Sequence, residues 1–182
     1  MHGALSSLSA RTTASGILTI DLAAVGRNYA TLRDRLPPTG LGADRIAPAL
    51  YAHGCRDFFA AHLDEALALR TIVAGDARLF VLNGLIPGAE GQCAAADIVP
   101  VLNSLDQITR WSDQACTERR DLPAILQLDT GMSRLGLSES EVRILADEPG
   151  LLAGVRVLFL MSHLASADEP DNAQNPAQLA TL

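Results

Sequence analysis

Two polar turns, each placed after an apolar run, contain the side chains of this 182-residue chain that are best suited to chemistry. Arg134 follows the run 123–128 through the turn Asp129-Thr-Gly131, and His163 comes just after the run 155–161. A guanidinium in such a turn can bind a carboxylate or a phenolate through two parallel hydrogen bonds. In a barrel of alternating strands and helices, active sites lie where strands end in such turns. The two turns are therefore the candidate functional site.

Each of these residues also has a plainer interpretation. Arg134 can pair with Asp129 and stiffen its own turn, and a lone histidine at a strand end is often structural. Asp-Thr-Gly also occurs in aspartic proteases, where two carboxylates share a proton. Met132 stands where those enzymes usually have Ser or Ala, and the surrounding pattern is not all-β. The acidic run 168–171 is typical of a solvated turn and helix cap more than of a cation site.

The composition argues against several classes of function. The formal net charge is −7, which disfavours nucleic acid or a membrane surface as partner, because both attract clustered basic residues. No apolar run approaches the ~18 residues that indicate a membrane span. The three cysteines and four histidines form no metal-binding or disulfide pattern, which suits reduced thiols in a cytoplasmic protein. All fourteen basic residues are arginine, so the chain contains no lysine.

The elements that must position the two turns follow a regular alternation. We expect residues 1–16 to be a disordered leader and residues 17–182 to form one domain. A short strand is predicted at 17–20, and a helix at 22–36 that ends at Pro37-Pro38-Thr-Gly40. Further helices are predicted at 43–52, 62–73, 87–96, 104–118, 138–147 and 175–182, and strands at 58–61, 77–82, 98–102, 123–128 and 155–161.

This alternation predicts an α/β fold with a parallel sheet. The strands are apolar runs without in–out alternation, as expected when both faces are buried. A complete (β/α)₈ TIM-type barrel needs about 250 residues. We therefore predict a partial (β/α)₈ TIM-type barrel with about five recognisable strands. An open doubly wound sheet is the alternative, but no glycine-rich phosphate turn supports it.

Several stretches, in the same order along the chain, resemble the amino-terminal domain of bacterial alanine racemase. They are Leu18-Thr-Ile-Asp-Leu22, His62-Leu-Asp-Glu-Ala66, Val99-Pro-Val-Leu-Asn-Ser104, Asp129-Thr-Gly-Met-Ser-Arg-Leu-Gly136, and Met161-Ser-His163 with Ala167-Asp-Glu-Pro170. The resemblance implies a (β/α)₈ barrel that carries pyridoxal 5'-phosphate, followed by a separate β domain. It also implies a homodimeric isomerase that interconverts L- and D-alanine and supplies D-alanine for peptidoglycan.

The resemblance assigns expected roles to residues of both turns. Arg134 resembles the arginine that contacts the phenolic oxygen of the cofactor and helps to bind the carboxylate of the amino-acid substrate. Met132 resembles part of the wall of that pocket. His163 resembles a histidine that positions another arginine beneath the pyridine nitrogen. Gln127 stands where a common pattern has a carbamylated lysine beside Arg134, and an amide there could still hydrogen-bond to the guanidinium.

The chain departs from the family pattern after the first long helix. The family has a barrel strand there that ends in a lysine-containing stretch, whereas this sequence passes from Leu36 through Pro37-Pro38-Thr-Gly40 to Leu41. We interpret this as an internal deletion, combined with a truncation that removes the rest of the barrel and the β domain. Without a lysine, covalent cofactor binding and racemisation by this chain are not expected, so no catalytic residue is assigned.

Two other interpretations remain open. One is a non-catalytic barrel that binds pyridoxal phosphate or regulates its supply, and the other is a subunit completed by a second polypeptide. Loss of the first strand and of the later ones would leave the edges at 58–61 and 155–161 unpaired. We therefore expect the isolated chain to aggregate or to need a partner.

Overall fold

The computed structural model describes residues 43–182, which form a five-stranded parallel sheet with its strands in chain order. The elements are α1 (Ala43–Ala52), β1 (Asp57–Ala60), α2 (Leu63–Arg70), β2 (Arg78–Val81), α3 (Glu90–Ala95), β3 (Ile98–Leu102), α4 (Leu105–Glu118), β4 (Leu122–Gln127), α5 (Glu139–Asp147), a 3₁₀ helix (Pro149–Leu152), β5 (Val155–Met161) and α6 (Gln174–Thr181). The predicted leader 1–16, strand 17–20 and helix 22–36 lie outside the described residues.

The predicted alternation of strands and helices is confirmed over the described residues, with differences at element ends. β3, β5 and α1 have the predicted bounds. The helix predicted at 62–73 ends at Arg70, because Thr71 and Ile72 donate to carbonyls only three residues back and close the helix in a tighter turn. The helix predicted at 87–96 begins at Glu90, since Gly88 adopts a φ of +89° that a helix does not contain.

Two apolar clusters lie on the two faces of the sheet. The first joins strand residues such as Leu79 and Leu102 to helix residues such as Leu69 and Trp111, so the helices pack on this face. The indole Nε1 of Trp111 donates to the carbonyl oxygen of Pro123 at 3.2 Å, which satisfies its polar atom inside the core. The second cluster consists of residues of the strands and of Leu82, which directly follows β2. Its buried members are Phe80, Val99, Val101 and Ile125, and Leu82, Leu158 and Met161 pack against them.

A parallel sheet with helices on one face and a strand-only cluster on the other is part of a (β/α)₈ barrel wall. The predicted fold class is thus confirmed. A helix connects each of β2 to β5 to the preceding strand, which is its neighbour in the sheet, and this is the connectivity of repeated βαβ units.

The two outer strands differ from the predicted full burial of every strand. All five residues of β3 are buried, whereas β1 alternates between exposed and buried residues and most of β5 is partly exposed. Phe59 in β1 is 48% exposed and Leu160 in β5 is 61% exposed. Within the described residues each outer strand pairs on one side, so one edge and part of one face lack the cover that inner strands receive. No helix within residues 43–182 has both the length and the hydropathy to cross a bilayer.

Candidate functional site

The turns that carry Arg134 and His163 lie side by side at the carboxyl edge of the sheet. β4 and β5 pair in parallel, and their last residues, Gln127 and Met161, are register partners. Both strands therefore end at the same level, and the turn after β4 is adjacent to the segment after β5. The two motifs therefore lie together at the edge where barrel enzymes place their active sites.

The turn after β4 is held by the carboxylate of Asp129. Its Oδ1 accepts the backbone N–H groups of Gly131 at 3.0 Å and of Ser133 at 2.9 Å. These hydrogen bonds hold the pKa of Asp129 below its usual range, since they favour the ionised form. Asp129 thus binds the backbone of its own turn and forms no ion pair with Arg134. The alternative in which Arg134 pairs with Asp129 to stiffen the turn is therefore not observed.

A glycine closes this turn by close backbone approach. Gly136 has a φ of +116°, and a Cβ at this position would lie 2.7 Å from the nitrogen of Asp129 and 2.8 Å from the carbonyl carbon of Leu128. Two backbone hydrogen bonds close the turn beside this glycine. The N–H of Leu137 donates to the carbonyl oxygen of Gln127, and the N–H of Asp129 donates to the carbonyl oxygen of Leu137. The turn is therefore a closed loop whose dimensions only glycine permits.

The amide of Gln127 supports the backbone next to Arg134 rather than the guanidinium. Gln127 is buried, and its Nε2 donates to the carbonyl oxygen of Leu135 at 3.2 Å. A hydrogen bond to Arg134 would use the Oε1 of this amide, because a guanidinium only donates, and within the described residues the structure contains no such bond. Arg134 is exposed and Met132 is partly buried. Among residues 43–182, no hydrogen bond or ion pair involves the Arg134 guanidinium, which leaves it available to an anion.

A buried glutamine of α6 joins the two turns, and the sequence analysis did not identify it. Gln178 is 3% exposed. Its Nε2 donates to Thr130 Oγ1 at 3.2 Å and to the carbonyl oxygen of His163 at 3.1 Å, and its Oε1 accepts the N–H of Ala165 at 2.9 Å. Thr130 Oγ1 also lies 2.6 Å from Ser162 Oγ. We call this set of five residues the Gln178 clamp.

The Gln178 clamp fixes the backbone at His163 but leaves its ring at the surface. His163 is exposed, and within the described part of the chain its imidazole has no hydrogen-bond partner. The expected role of this ring, positioning a second arginine, stays a prediction. The sequence signal for the clamp was weak, since a glutamine three residues after a predicted helix start is ordinarily a surface residue.

A second polar network follows β2 and β3 at the same edge. Asn103 is buried, and its Nδ2 donates to the carbonyl oxygens of Leu82 at 3.0 Å and Val101 at 2.9 Å. Gln107 accepts the N–H of Asn103 at 2.9 Å and donates to the carbonyl oxygen of Asn83 at 3.4 Å. These amides tie the first turn of α4 to two strand ends, which stabilises the edge without presenting an ionisable group.

The remaining candidates of the sequence do not form a site. No group of three or more His, Cys, Asp or Glu side chains in residues 43–182 is arranged to hold a metal ion. The acidic run 168–171 is exposed and precedes α6, where Asn172 Oδ1 accepts the N–H of Gln174. Cys93 is buried, and its burial raises the pKa of the thiol to about 12, so it is not a nucleophile at neutral pH.

Comparison with known proteins gives one consistent family. Residues 20–182 match the family described as alanine racemase, N-terminal domain. The chain is 52% identical over 180 residues to the alanine racemase of Brucella ovis and to a catabolic alanine racemase of Agrobacterium fabrum, covering 93% of this chain and 46% of each relative. The chain thus spans about half the length of the curated relatives it matches.

Solved structures agree with the sequence comparison. Alanine racemase from Bartonella henselae, with covalently bound pyridoxal phosphate, matches with a TM-score of 0.76 and 38% identity, over 88% of this chain and 50% of that one. The biosynthetic enzyme from Pseudomonas aeruginosa matches with a TM-score of 0.68 and 29% identity, over 88% and 47%.

The alignment with the Brucella relative also contains a length difference. It is 180 residues long, whereas 93% of this 182-residue chain is about 169 residues. About eleven aligned positions of that relative therefore have no counterpart in this chain.

Proposed function

This chain belongs to the alanine racemase family, and from that premise we propose that it is a racemase-type half barrel that cannot attach the cofactor covalently. The observation that carries the proposal is the absence of lysine from a chain that contains the Arg134 and His163 turns. By itself the chain then does not interconvert L- and D-alanine. Its contribution is the carboxyl edge that faces the cofactor and the amino acid.

Pyridoxal phosphate fits the residues of this edge only in part. Covalent attachment requires a primary amine, and every basic side chain of this sequence is arginine. A guanidinium stays protonated at all relevant pH values and does not serve as an amine nucleophile. Apart from an amino terminus, the sequence contains no primary amine. We therefore derive no covalent step for this chain.

What the edge retains is a set of groups for non-covalent contact. The exposed Arg134 guanidinium can bind an anionic oxygen, such as a phenolate or the carboxylate of an amino acid. Its turn is prearranged by Asp129 and Gly136, so little backbone ordering accompanies binding. Met132 and His163 flank this turn as candidate wall and support residues. We propose that these three residues are the cofactor- and substrate-facing side chains of this chain.

Racemisation needs a base on each face of the α carbon, one to remove the proton and one to return it. The described edge supplies an arginine and an exposed histidine, but no amine that could act as one of these bases. Activity would therefore require a different polypeptide that supplies the missing groups, because a second copy of this chain would also contain no lysine. The two unpaired strand edges of the described sheet favour such completion over an independent binding barrel.

Reduction with borohydride tests the covalent part of the proposal. The purified chain is incubated with pyridoxal phosphate, reduced, and analysed by intact mass and peptide mapping, with the Bartonella henselae enzyme as positive control. We expect no pyridoxyl adduct beyond the α-amino group, and no D-alanine from L-alanine by chiral chromatography. Turnover of L-alanine by the purified chain alone would refute the proposal.

Equilibrium dialysis with pyridoxal phosphate tests the non-covalent part. We expect Arg134→Gln to weaken retention of the cofactor. The matched control is Arg143→Gln, because Arg143 is an exposed arginine outside the two turns that pairs with Glu139 within α5. Equal retention by the two variants would remove Arg134 from the proposed site.

A further inference from the structure

Helix α6 contacts the turn after β4 through a single amide. Gln178 is the buried residue of this helix, whereas its neighbour Leu179 is 70% exposed. Two other side chains of α6, Gln174 and Asn175, each bind Ser166 at 3.0 Å, but Ser166 lies in the segment between β5 and α6. Among the hydrogen bonds of the described residues, Gln178 makes the contact between α6 and the turn after β4.

Gln178 contacts two adjacent residues at the start of this turn. Its Nε2 donates to Thr130 Oγ1 at 3.2 Å. A Cβ placed on Gly131 would lie 3.7 Å from its Cγ, so the side chain also packs against the backbone of the turn. The position of α6 and the path of the turn at Thr130 and Gly131 are therefore linked by both a polar and a packing contact.

From Gly131 the turn continues by hydrogen bonds to Arg134. Asp129 Oδ1 accepts the N–H groups of Gly131 at 3.0 Å and of Ser133 at 2.9 Å, so displacement of Gly131 disturbs the acceptor that also holds Ser133. Ser133 has a φ of +56°, a left-handed conformation that is uncommon for serine and that its surroundings must hold. Ser133 directly precedes Arg134. A connected set of contacts thus runs from Gln178 to the backbone that carries the guanidinium.

The other polar contacts of Gln178 lie in the segment after β5. Its Nε2 also donates to the carbonyl oxygen of His163 at 3.1 Å, and its Oε1 accepts the N–H of Ala165 at 2.9 Å. Both N–H groups of the amide are therefore in use. The amide makes all of these hydrogen bonds only when α6 and both turns have the observed arrangement, so the three parts depend on one another.

We propose that Gln178 is a positioning residue that couples the docking of α6 to the arrangement of the turn that carries Arg134. An anionic oxygen bound by Arg134 and a docked α6 stabilise each other, because both favour the same arrangement of the turn. The coupling is reciprocal: undocking of α6 weakens binding of the anion, and the bound anion slows undocking. The anion part rests on the proposed role of Arg134, whereas the link between Gln178 and the turn does not.

Hydrogen exchange of the full 182-residue chain without ligand tests the link between Gln178 and the turn. In Gln178→Leu, exchange at Gly131 and Ser133 should become about fivefold faster or more, which is the effect of losing one hydrogen bond. The amides of buried strand β3 serve to correct for global unfolding. Gln174→Leu is the matched control, because it removes an exposed hydrogen bond of the same helix, and both rates should stay within about twofold of the wild type.

A ligand that cannot react tests the coupling. The probe is pyridoxine 5'-phosphate, which keeps the phenolic oxygen and the phosphate of the family's cofactor. It has a hydroxymethyl group in place of the aldehyde, so it forms no imine with an amino terminus. At saturation it should slow amide exchange in α6 about threefold or more in the wild type, but not in Gln178→Leu or Arg134→Gln. Its affinity, measured by equilibrium dialysis, should fall about fivefold in Gln178→Leu.

The exchange of α6 separates positioning from a general effect on stability. If Gln178 acted on stability alone, Gln178→Leu would speed exchange throughout the chain and would retain the slowing of α6 by the ligand. Circular dichroism shows whether the variant is folded. Gln178→Asn is the second variant, because its amide is one methylene group shorter and does not span the same three partners, and it gives the same test if Gln178→Leu fails to fold.

Unchanged corrected exchange at Gly131 and Ser133 in the Gln178 variants would overturn the proposal. Slowing of α6 by the ligand that persists in these variants would also overturn it. Equal affinity of wild type and Arg134→Gln for the probe would instead refute the proposed anion-binding role of Arg134. In that case the ligand-free exchange still decides the positioning role, since faster exchange at Ser133 supports it and unchanged exchange overturns it.

Discussion

The Gln178 clamp should contribute measurably to stability, and Gln178→Leu is the substitution that removes it. Leucine has a similar size and loses all three hydrogen bonds that the amide makes to Thr130, His163 and Ala165. The side chain of residue 178 is almost fully buried. Because leucine fills nearly the same volume, its packing is largely retained, and the lost hydrogen bonds account for most of the effect. The variant thus isolates the hydrogen bonds that connect the two turns.

The expected magnitude follows from the surroundings of each partner. A typical hydrogen bond makes a net contribution of about 0.5–1.5 kcal/mol to the free energy of unfolding, and a buried polar group left without a partner lowers it by about 1–3 kcal/mol. His163 and Ala165 are exposed residues, so water can replace part of what their backbone groups lose, and Thr130 retains Ser162 as partner. We expect a loss of about 2 kcal/mol in the free energy of unfolding, or roughly 4–8 °C in Tm for a chain of this size.

Urea unfolding followed by circular dichroism measures this loss, and Gln92→Leu is the control, since Gln92 is an exposed amide on α3. Hydrogen exchange at Ala165 should accelerate in Gln178→Leu but not in the control. A loss below about 0.5 kcal/mol, with unchanged exchange at Ala165, would refute the reasoning that buried hydrogen bonds hold the two turns together.

The acidic substitution at the same position adds a pH test. In Gln178→Glu the ionised carboxylate cannot donate to Thr130 or to the carbonyl of His163, and burial raises the pKa of the introduced carboxyl. A raised folded-state pKa means that stability is fully present below the unfolded value of about 4.3 and is lost as the pH rises through the folded value. The variant should therefore differ least from the wild type near pH 4 and most at pH 7.

Two further substitutions test the turn after β4. Gly136→Ala should cost more than about 2 kcal/mol, because its Cβ would meet the backbone at 2.7 Å, while Gly131→Ala shares a positive φ but has its nearest neighbour at 3.7 Å and should cost clearly less in the same urea assay. Asp129→Asn should lower stability by about 0.5–1 kcal/mol at pH 7, since charged acceptors bind N–H groups more strongly. Because the folded-state pKa of Asp129 is lowered, its stabilisation is present above the unfolded pKa of about 3.9 and disappears as the pH falls through the folded value, so the two proteins should converge in acid. Equal costs for the two glycines, or a constant difference from pH 7 to pH 2, would contradict these explanations.

The strand and helix pattern could be predicted because it depends on local sequence. β3 and β5 were bounded correctly, since each is an apolar run between turn residues. The ends of α2 and α3 were predicted less well. Those ends depend on which backbone groups find partners, as at Thr71 and Gly88, and composition does not reveal such partners.

The candidate site was predictable in part for a similar reason. Arg134 and His163 follow consecutive strands, and parallel pairing brings consecutive strand ends to one edge. The contact of Gln127 with Leu135 was not predictable, because an amide has several possible partners and only the path of the loop selects one. Nor was Gln178, whose partners lie 13 to 48 residues away in sequence.

By itself, the sequence determined the family, the partial barrel, the residues of the two turns and the absence of any lysine. These are properties of residue identity and short-range spacing, so they can be read without coordinates. Only the tertiary structure decided that Asp129 binds its own turn instead of Arg134, that the Gln127 amide binds the backbone of Leu135, and that a buried amide joins the two turns. Each of these depends on distances between segments far apart in the chain, which are set when the sheet and its helices pack together.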